Sequence, residues 1–479
     1  MTSFTEKYHE LSKCSPPALH FSKTMHWEQR YPSIKCYGDV PSLPFSGKKL
    51  DFKAPYGSFE FLRCLLHCAG GVLPKTEETK GFAWRACISV AAAYPTEMFV
   101  LIRHVDAPSG LFYFDVDSEK LLKIAELKEA EQELSRAFAD DSVFSHSRIT
   151  LFCTSMLDRC AFRLREAAYR IALLDAGAVF GNVVNFSRAL GCPVVPLGGF
   201  VDSVWSSTFR LSSGEIPVAA FAIDPELHGY IPDAVPSLDP FVAREMLWLD
   251  VSSSLLLCQN QAERIPENVF RKRVPKNYFF VEDSDAIALP SALKMLQDFQ
   301  KDPKKWSRMS YHFKSFSKKS ISLNSFSGLI SAAVREHDAF FSAGFLKCYV
   351  LIFHVDGLEP GLYRYESIRH LLQPLNKDVS EKLWQEAHII PEQAENTAFS
   401  FIYAADLAMV TNVLGDRGYR YLLLDSGIIN ASLHLFSKLL HLKTKGEYGY
   451  YEDFLKKVIG LDAKDSILYE SMVGVPKKN

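Results

Sequence analysis

The chain lacks the marks of several large protein classes. Its start, MTSFTEKYHE, has no apolar core of the kind a secretory leader needs, so no signal peptide is expected. No uninterrupted apolar run reaches about 18 residues, so no membrane span is expected. The 54 Lys and Arg nearly balance 56 Asp and Glu, and a net charge of −2 gives no electrostatic case for nucleic acid or an anionic membrane. The 10 cysteines form no C-x-x-C pair and no regular framework, which fits a reducing cytoplasm. Cys64 and Cys68 flank His67, yet FLRCLLHCAGG reads as a buried helix stopped by Gly70-Gly71, and no metal site is expected. There is no G-x-G-x-x-G, no Walker loop and no G-x-S-x-G elbow, so nothing announces a dinucleotide fold, a nucleotide loop or a serine hydrolase.

What the chain has instead is a repetition. Residues 169–177 read YRIALLDAG, and residues 419–427, 250 positions on, read YRYLLLDSG. Residues 101–106 (LIRHVD) and 351–356 (LIFHVD) share that offset. Each runs into a Gly-Leu-aromatic segment, Gly110-Leu111-Phe112 and Gly361-Leu362-Tyr363. Two unrelated segments matching at one offset point to tandem duplication of a domain of roughly 200 residues. With 48% hydrophobic residues, each half can bury its own core. The expected division is an N-terminal arm over 1–48, a first domain over 49–227, a linker over 228–305 and a second domain over 306–479.

Periodicity supplies the elements. In half one it predicts a helix over 59–69, a hairpin from strands 98–104 and 110–115, a charged amphipathic helix over 121–138 and a strand over 150–154. A nearly all-apolar helix follows over 169–190, then a strand over 218–223. Gly177 and Gly181 stand four apart on that helix, a spacing that lets a second helix backbone approach closely. Residues 289–300 read as helical. Half two repeats the order: helix 325–334, hairpin 348–365, strand 398–404, apolar helix 419–440 and strand 467–474. This is an α+β arrangement, a mostly antiparallel sheet wrapped by helices.

The motifs also resemble a family. Arg85-Ala86-Cys87-Ile88-Ser89 followed by Ala93-Tyr94-Pro95-Thr96-Glu97 resembles the R-x-x-P-S-x-G-x-x-Y-P-x-E segment of nitroreductase-fold flavoproteins of the SagB/ThcOx type. So do His104-Val105-Asp106 running into Gly110-Leu111, the YRxxLLDAG helix, Gly198-Gly199-Phe200 with Asp202, and Gly415-Asp416-Arg417-Gly418-Tyr419-Arg420. The resemblance covers most of both halves. It implies two nitroreductase-like domains paired as an intramolecular pseudo-dimer, with FMN between them and hydride passing through flavin N5 to or from a small-molecule or peptide substrate. Further oligomerisation stays open. Against the family pattern, Ile88-Ser89-Val90-Ala91 lacks the proline and glycine. Arg163-Leu164 and Val413-Leu414 stand where azoline oxidases carry a Lys-Tyr dyad, and neither pair can act as a general base at neutral pH.

The chemistry asks for cations at the phosphate and for close backbone approach at the ring. Lys314, with Lys318 and Lys319, is the candidate phosphate grip in half two, and Lys48-Lys49 is the alternative in half one. Ser89, Tyr94 and Glu97 are candidates for the ring edge, with Tyr94 the candidate catalytic residue. Ser342 and Gly344 are their half-two counterparts, and Gly198 and Gly199 the backbone approach in half one. Tyr94 either faces the flavin or packs at a strand start. Arg170 and Arg420 either hold cofactor or pair structurally. Asp175 and Asp425, inside apolar helices, need partners, and an arginine across the pseudo-dimer would serve. Two readings follow: an FMN-dependent oxidoreductase with one or two sites between the halves, or a non-catalytic chain that keeps the fold as a binding or scaffold subunit.

Overall fold

The computed structural model describes residues 3–14, 35, 37, 40–45, 50–55, 57–73, 84–139, 141–225, 285–290, 315–334, 340–342 and 344–477. Half one contributes strands β1 (Ser42–Pro44), β2 (Thr96–Ile102), β3 (Gly110–Asp115), β4 (Lys120–Ala125), β5 (Ser147–Met156), β6 (Val194–Leu197) and β7 (Glu215–Pro225). They lie in the order β1-β4-β3-β2-β5-β7-β6. Half two contributes β8 (Ile287–Ala288), β9 (Lys347–Ile352), β10 (Gly361–Glu366), β11 (Leu371–Asn376), β12 (Phe399–Asp406), β13 (Lys443–Glu447) and β14 (Asp465–Gly474). Their order, β8-β11-β10-β9-β12-β14-β13, is the same one strand for strand. The repeated hairpins sit in like register, with Leu101 opposite Leu111 and Leu351 opposite Leu362.

The helices that matter for the site are α1 (Phe4–Ser12), α2 (Phe59–Gly70), α3 (Ala168–Ala189), α4 (Asp202–Thr208), α5 (Leu323–Val334), α6 (Arg417–Leu439) and α7 (Glu452–Ile459). Two expectations need correction. The helix expected over 121–138 starts late, because its first five residues belong to β4. Leu121 packs into one face of the sheet while Leu122 and Ile124 pack into the other, and that alternation overrides the helical pattern. The N-terminal arm opens on a helix. Ser3 and Glu6 form a capping box for α1. The helix seats on both halves: the Tyr8 hydroxyl donates to the Glu166 carbonyl at 2.7 Å, and His9 lies 2.7 Å from Glu452. Of the helix expected over 289–300, all but its first two residues lie outside the described residues.

α3 and α6 pack against each other as the seam between the halves. By length and composition, residues 165–189 could cross a membrane, yet the most apolar 18-residue stretch of that segment is wholly buried in protein. A methyl on Gly177 would come within 2.8 Å of the Gly427 Cα and closer still to the Leu424 carbonyl oxygen. One on Gly427 would collide in the same way with Gly177 and Leu174, and Gly181 meets Ala431 and Ile428 one turn on. The close approach expected from the glycine spacing is therefore what brings the two backbones together.

Buried charges cross the seam in a reciprocal pattern. Arg420 of α6 reaches Asp202 of half one, Nη2 to Oδ2 at 2.6 Å, beside Arg417 at 3.0 Å. Arg170 of α3 reaches half two, donating to the Ile467 and Leu468 carbonyls at 2.6 and 2.7 Å and lying 3.4 Å from Glu452. Asp202 and Glu452 are themselves 250 positions apart. Burial would raise the Glu452 carboxyl, but His9 and Arg170 hold it down at about 2. Arg420 and Arg417 likewise overcome burial to hold Asp202 below its usual range.

Gly177→Ala should destabilise the chain by about 1–3 kcal/mol, toward the upper end because the obstacle is backbone. Thermal unfolding checks this, and a melting point equal to wild type would mean that α3 and α6 are not in this contact.

Candidate functional site

One cleft opens along the seam and encloses about 970 Å³. Half one lines it with the turn at 88–92, with Tyr94 and with Asp175 of α3. Half two lines it with Asn430, His434 and Lys438 of α6, with β13 and with Tyr448, Gly449 and Tyr469. The end of α1 borders it at 11–14.

The half-one wall is a braced turn. The Ser89 hydroxyl donates to Asp175 Oδ2 at 2.5 Å, the Val90 N–H donates to Oδ1 at 3.0 Å, and the Tyr94 N–H donates to Ser89 Oγ at 2.8 Å. Arg159 donates to the Tyr94 carbonyl at 2.8 Å. Held in this way, Ala91 (φ 56°), Ala92 (φ 51°) and Tyr94 (φ 45°) adopt the left-handed conformation that glycine takes without penalty. Ala91 stands where the resembled family pattern has glycine, so the backbone shape persists without the residue that makes it cheap. Burial pushes the Asp175 carboxyl up to about 7, against the pull of the Ser89 hydroxyl and Val90 N–H. A carboxyl poised there, at the edge of a cleft, can exchange a proton at neutral pH. The Tyr94 ring is nearly buried beneath the Arg85 guanidinium, 5.4 Å from ring centre to cation, and burial raises its phenol pKa.

The half-two wall is polar and basic. Asn430, His434 and Lys438 recur every four residues, on one face of α6. Lys443 and Lys445 alternate along β13. Burial lowers the Lys443 ammonium, and burial together with Lys443 brings His434 down to about 3, so the imidazole is neutral and can accept as well as donate. Lys445 pairs with Gln393 and Glu447. Glu447 Oε1 in turn accepts the N–H groups of Tyr448 at 3.0 Å and Gly449 at 2.7 Å, which fixes the turn after β13.

Ser89 and Tyr94 therefore border a cleft shared with the other half, although both bonds to the Ser89 hydroxyl brace the turn. The remaining candidates lie elsewhere. Glu97 points into half one from β2, wholly buried between the Tyr113 hydroxyl at 2.7 Å and Arg159 at 2.5 Å, so it is a core ion pair and no ring contact. Arg170 and Arg420 spend their guanidinium groups on the seam. The Gly198 carbonyl accepts from Arg417 and from the Tyr421 hydroxyl, each at 2.9 Å, and the Gly199 carbonyl from Ala139 at 3.0 Å, none of them at the open cleft. Ser342 is buried against Asp425, its hydroxyl 2.7 Å from Oδ2, and Gly344 (φ 86°) continues that turn, away from the cleft. Asp175 and Asp425 thus hold serines within their own halves and leave the arginines to Asp202 and Glu452. Lys314, Lys48 and Lys49 lie outside the described residues.

Sequence reasoning missed the whole half-two wall. Its signal was present: three polar residues at i, i+4, i+8 in an apolar helix, followed by lysines alternating on a strand.

No family model matches the chain. A crystal structure of a presumed nitroreductase from Anabaena variabilis superposes with a TM-score of 0.79 over 100% of both chains, at 18% identity. The chain has the nitroreductase fold. In sequence it is similar to a presumed nitroreductase of Methanocaldococcus jannaschii, 28% identical over 115 residues. That match takes in 24% of this chain and spans 58% of the relative's length.

Ala91→Gly should stabilise the chain by about 1 kcal/mol, read as a higher melting temperature. Asp175 titrates in the native state near 7, well above the roughly 4 of an unfolded carboxyl. Its stabilising contribution is complete below about pH 4 and is lost as pH rises through 7. Asp175→Asn should therefore gain on wild type as melting is followed from pH 4 to 8, and parallel curves would count against this assignment.

Proposed function

We propose that the chain is an FMN-dependent oxidoreductase, of a type similar to the SagB/ThcOx flavoproteins, that moves hydride to or from a small-molecule or peptide substrate in the cleft between its halves. The observation that carries this reading is the division of labour in the cleft: cations on the half-two wall, an open backbone turn on the half-one wall. The likeness to presumed nitroreductases supports the same chemistry. So does the repeated strand order, which we read as the product of a fused homodimer.

The donor set fits a flat ring with a phosphate tail. A phosphate dianion calls for Lys or Arg and for N–H groups. Lys438 and Lys443 face the cleft, and their partial burial strengthens any charge they meet. The turn at 89–92 offers backbone without bulky side chains, and Trp84 and Tyr94 offer apolar faces beside it. FMN, when bound, supplies a hydride acceptor and donor at N5. The residues of the chain orient and protect: the lysines offset the phosphate, Asp175 holds the turn in its strained shape, and His434 gives the half-two wall a neutral donor and acceptor. Asp175 is also the group able to take up or release a proton near neutral pH. With Arg163-Leu164 and Val413-Leu414 in place of a Lys-Tyr dyad, proton removal in the manner of azoline oxidases is not part of this reading.

Purified protein should absorb near ~450 nm and release FMN on denaturation. Lys443→Glu should weaken FMN retention roughly tenfold or more, the loss of one charge-assisted contact. A colourless protein that takes up no added FMN would overturn the proposal in favour of the non-catalytic scaffold.

A further inference from the structure

The open cleft has a counterpart on the other side of the seam, and its contents differ. The 250-residue offset that relates YRIALLDAG to YRYLLLDSG also relates the two walls. Asn430 is answered by Phe180, His434 by Val184, Lys443 by Pro193 and Lys445 by Val195. Ser471, which donates to Asn430 at 2.9 Å, is answered by Phe221. Lys438 keeps its charge, as Arg188. On the facing turn, Ser342 takes Asp425 as Ser89 takes Asp175, so Phe341 stands where half one has Ile88.

These replacements meet one another. Phe180 and Phe221 are 4.8 Å apart, centre to centre. Phe341 lies 5.9 Å from Phe180, 5.7 Å from Phe221 and 6.1 Å from Tyr421, nearly parallel to the last at 22°. Phe340 adds a fifth ring, 6.1 Å from Phe221. These are the separations of packed aromatic pairs. Phe180 and Phe221 are wholly buried, and Phe341 keeps 9% exposure. Gly198, answering Tyr448, leaves space that the Tyr421 ring takes, since a methyl there would fall 2.8 Å from Tyr421 Cε1.

We propose that this second composite position has been filled by its own aromatic side chains and absorbed into the core, so that the chain holds one flat ligand, on the Ser89 side alone. The ligand count rests on the function proposed above. The filling of the second position does not. A duplicated pair of sites has thus been divided, one half of the pseudo-symmetric pair kept polar and open, the other spent on cohesion between the lobes.

Two measurements on the full chain test it. Without added ligand, Phe180→Ala should lower the melting temperature by about 5 °C or more, as a large buried ring is lost. Its pseudo-equivalent Asn430→Ala should lower melting less and weaken FMN uptake roughly threefold or more. Should Phe180→Ala fail to fold, Phe341→Leu should give a smaller, measurable loss. Equilibrium dialysis of wild type against FMN should saturate at one per chain. Two FMN per chain, or phenylalanine variants that melt like wild type, would overturn the inference. If wild type binds no FMN, the proposed function fails, and the melting comparison alone decides whether the second position is filled.

Discussion

Two backbones touching without side chains between them set the geometry of this molecule. Where Gly177 meets Gly427, the spine helices of the halves come too close for even a methyl group. That contact determines where every other group on the seam can reach. It brings Arg420 within 2.6 Å of Asp202 and lets Arg170 reach the Ile467 and Leu468 carbonyls. Ion pairs so deeply buried gain little net stability once desolvation is counted. Their value here is registry: a slide of one helix along the other would strand charges in a dry core, at a cost of several kcal/mol.

The same contact makes the cleft a property of the pair. Asp175 belongs to α3 and braces a turn of its own half, yet the surface opposite that turn is α6 and β13 of the other half. Neither half alone has both walls. The strained backbone at Ala91, Ala92 and Tyr94 is affordable because Asp175, Arg159 and the seam over-determine it.

Much of the fold was legible in the sequence, because the signals were strong and local. A buried helix apolar all round, written twice, reads as a spine, and the Leu-aromatic hairpins formed where they were expected. The charged stretch at 121–138 misled because Lys120–Ala125 satisfies a strand and a helix pattern alike, and only the sheet beneath it decides. At the site, Ser89 and Tyr94 were legible because their spacing was distinctive. Glu97 looked like a site residue because it completes the Y-P-x-E of the resembled pattern, and Arg170 and Arg420 because they recur at the head of the repeated helix, and sequence alone cannot tell a ligand from a buried counter-ion. Lys443, Asn430 and His434 went unremarked because their spacing marks a shared polar face, while what that face serves is set by the opposing wall, which belongs to the other half.

The seating of α1 has a consequence for how the molecule comes into being. His9 contacts Glu452, 443 residues further along. At synthesis rates of about 5–20 residues per second, the first helix leaves the ribosome on the order of half a minute before its seat is complete. Through much of that interval the half-one part of the seat, where Tyr8 meets Glu166 and Tyr169, exists without the part that holds His9, and the seat is completed only when Glu452 has been made.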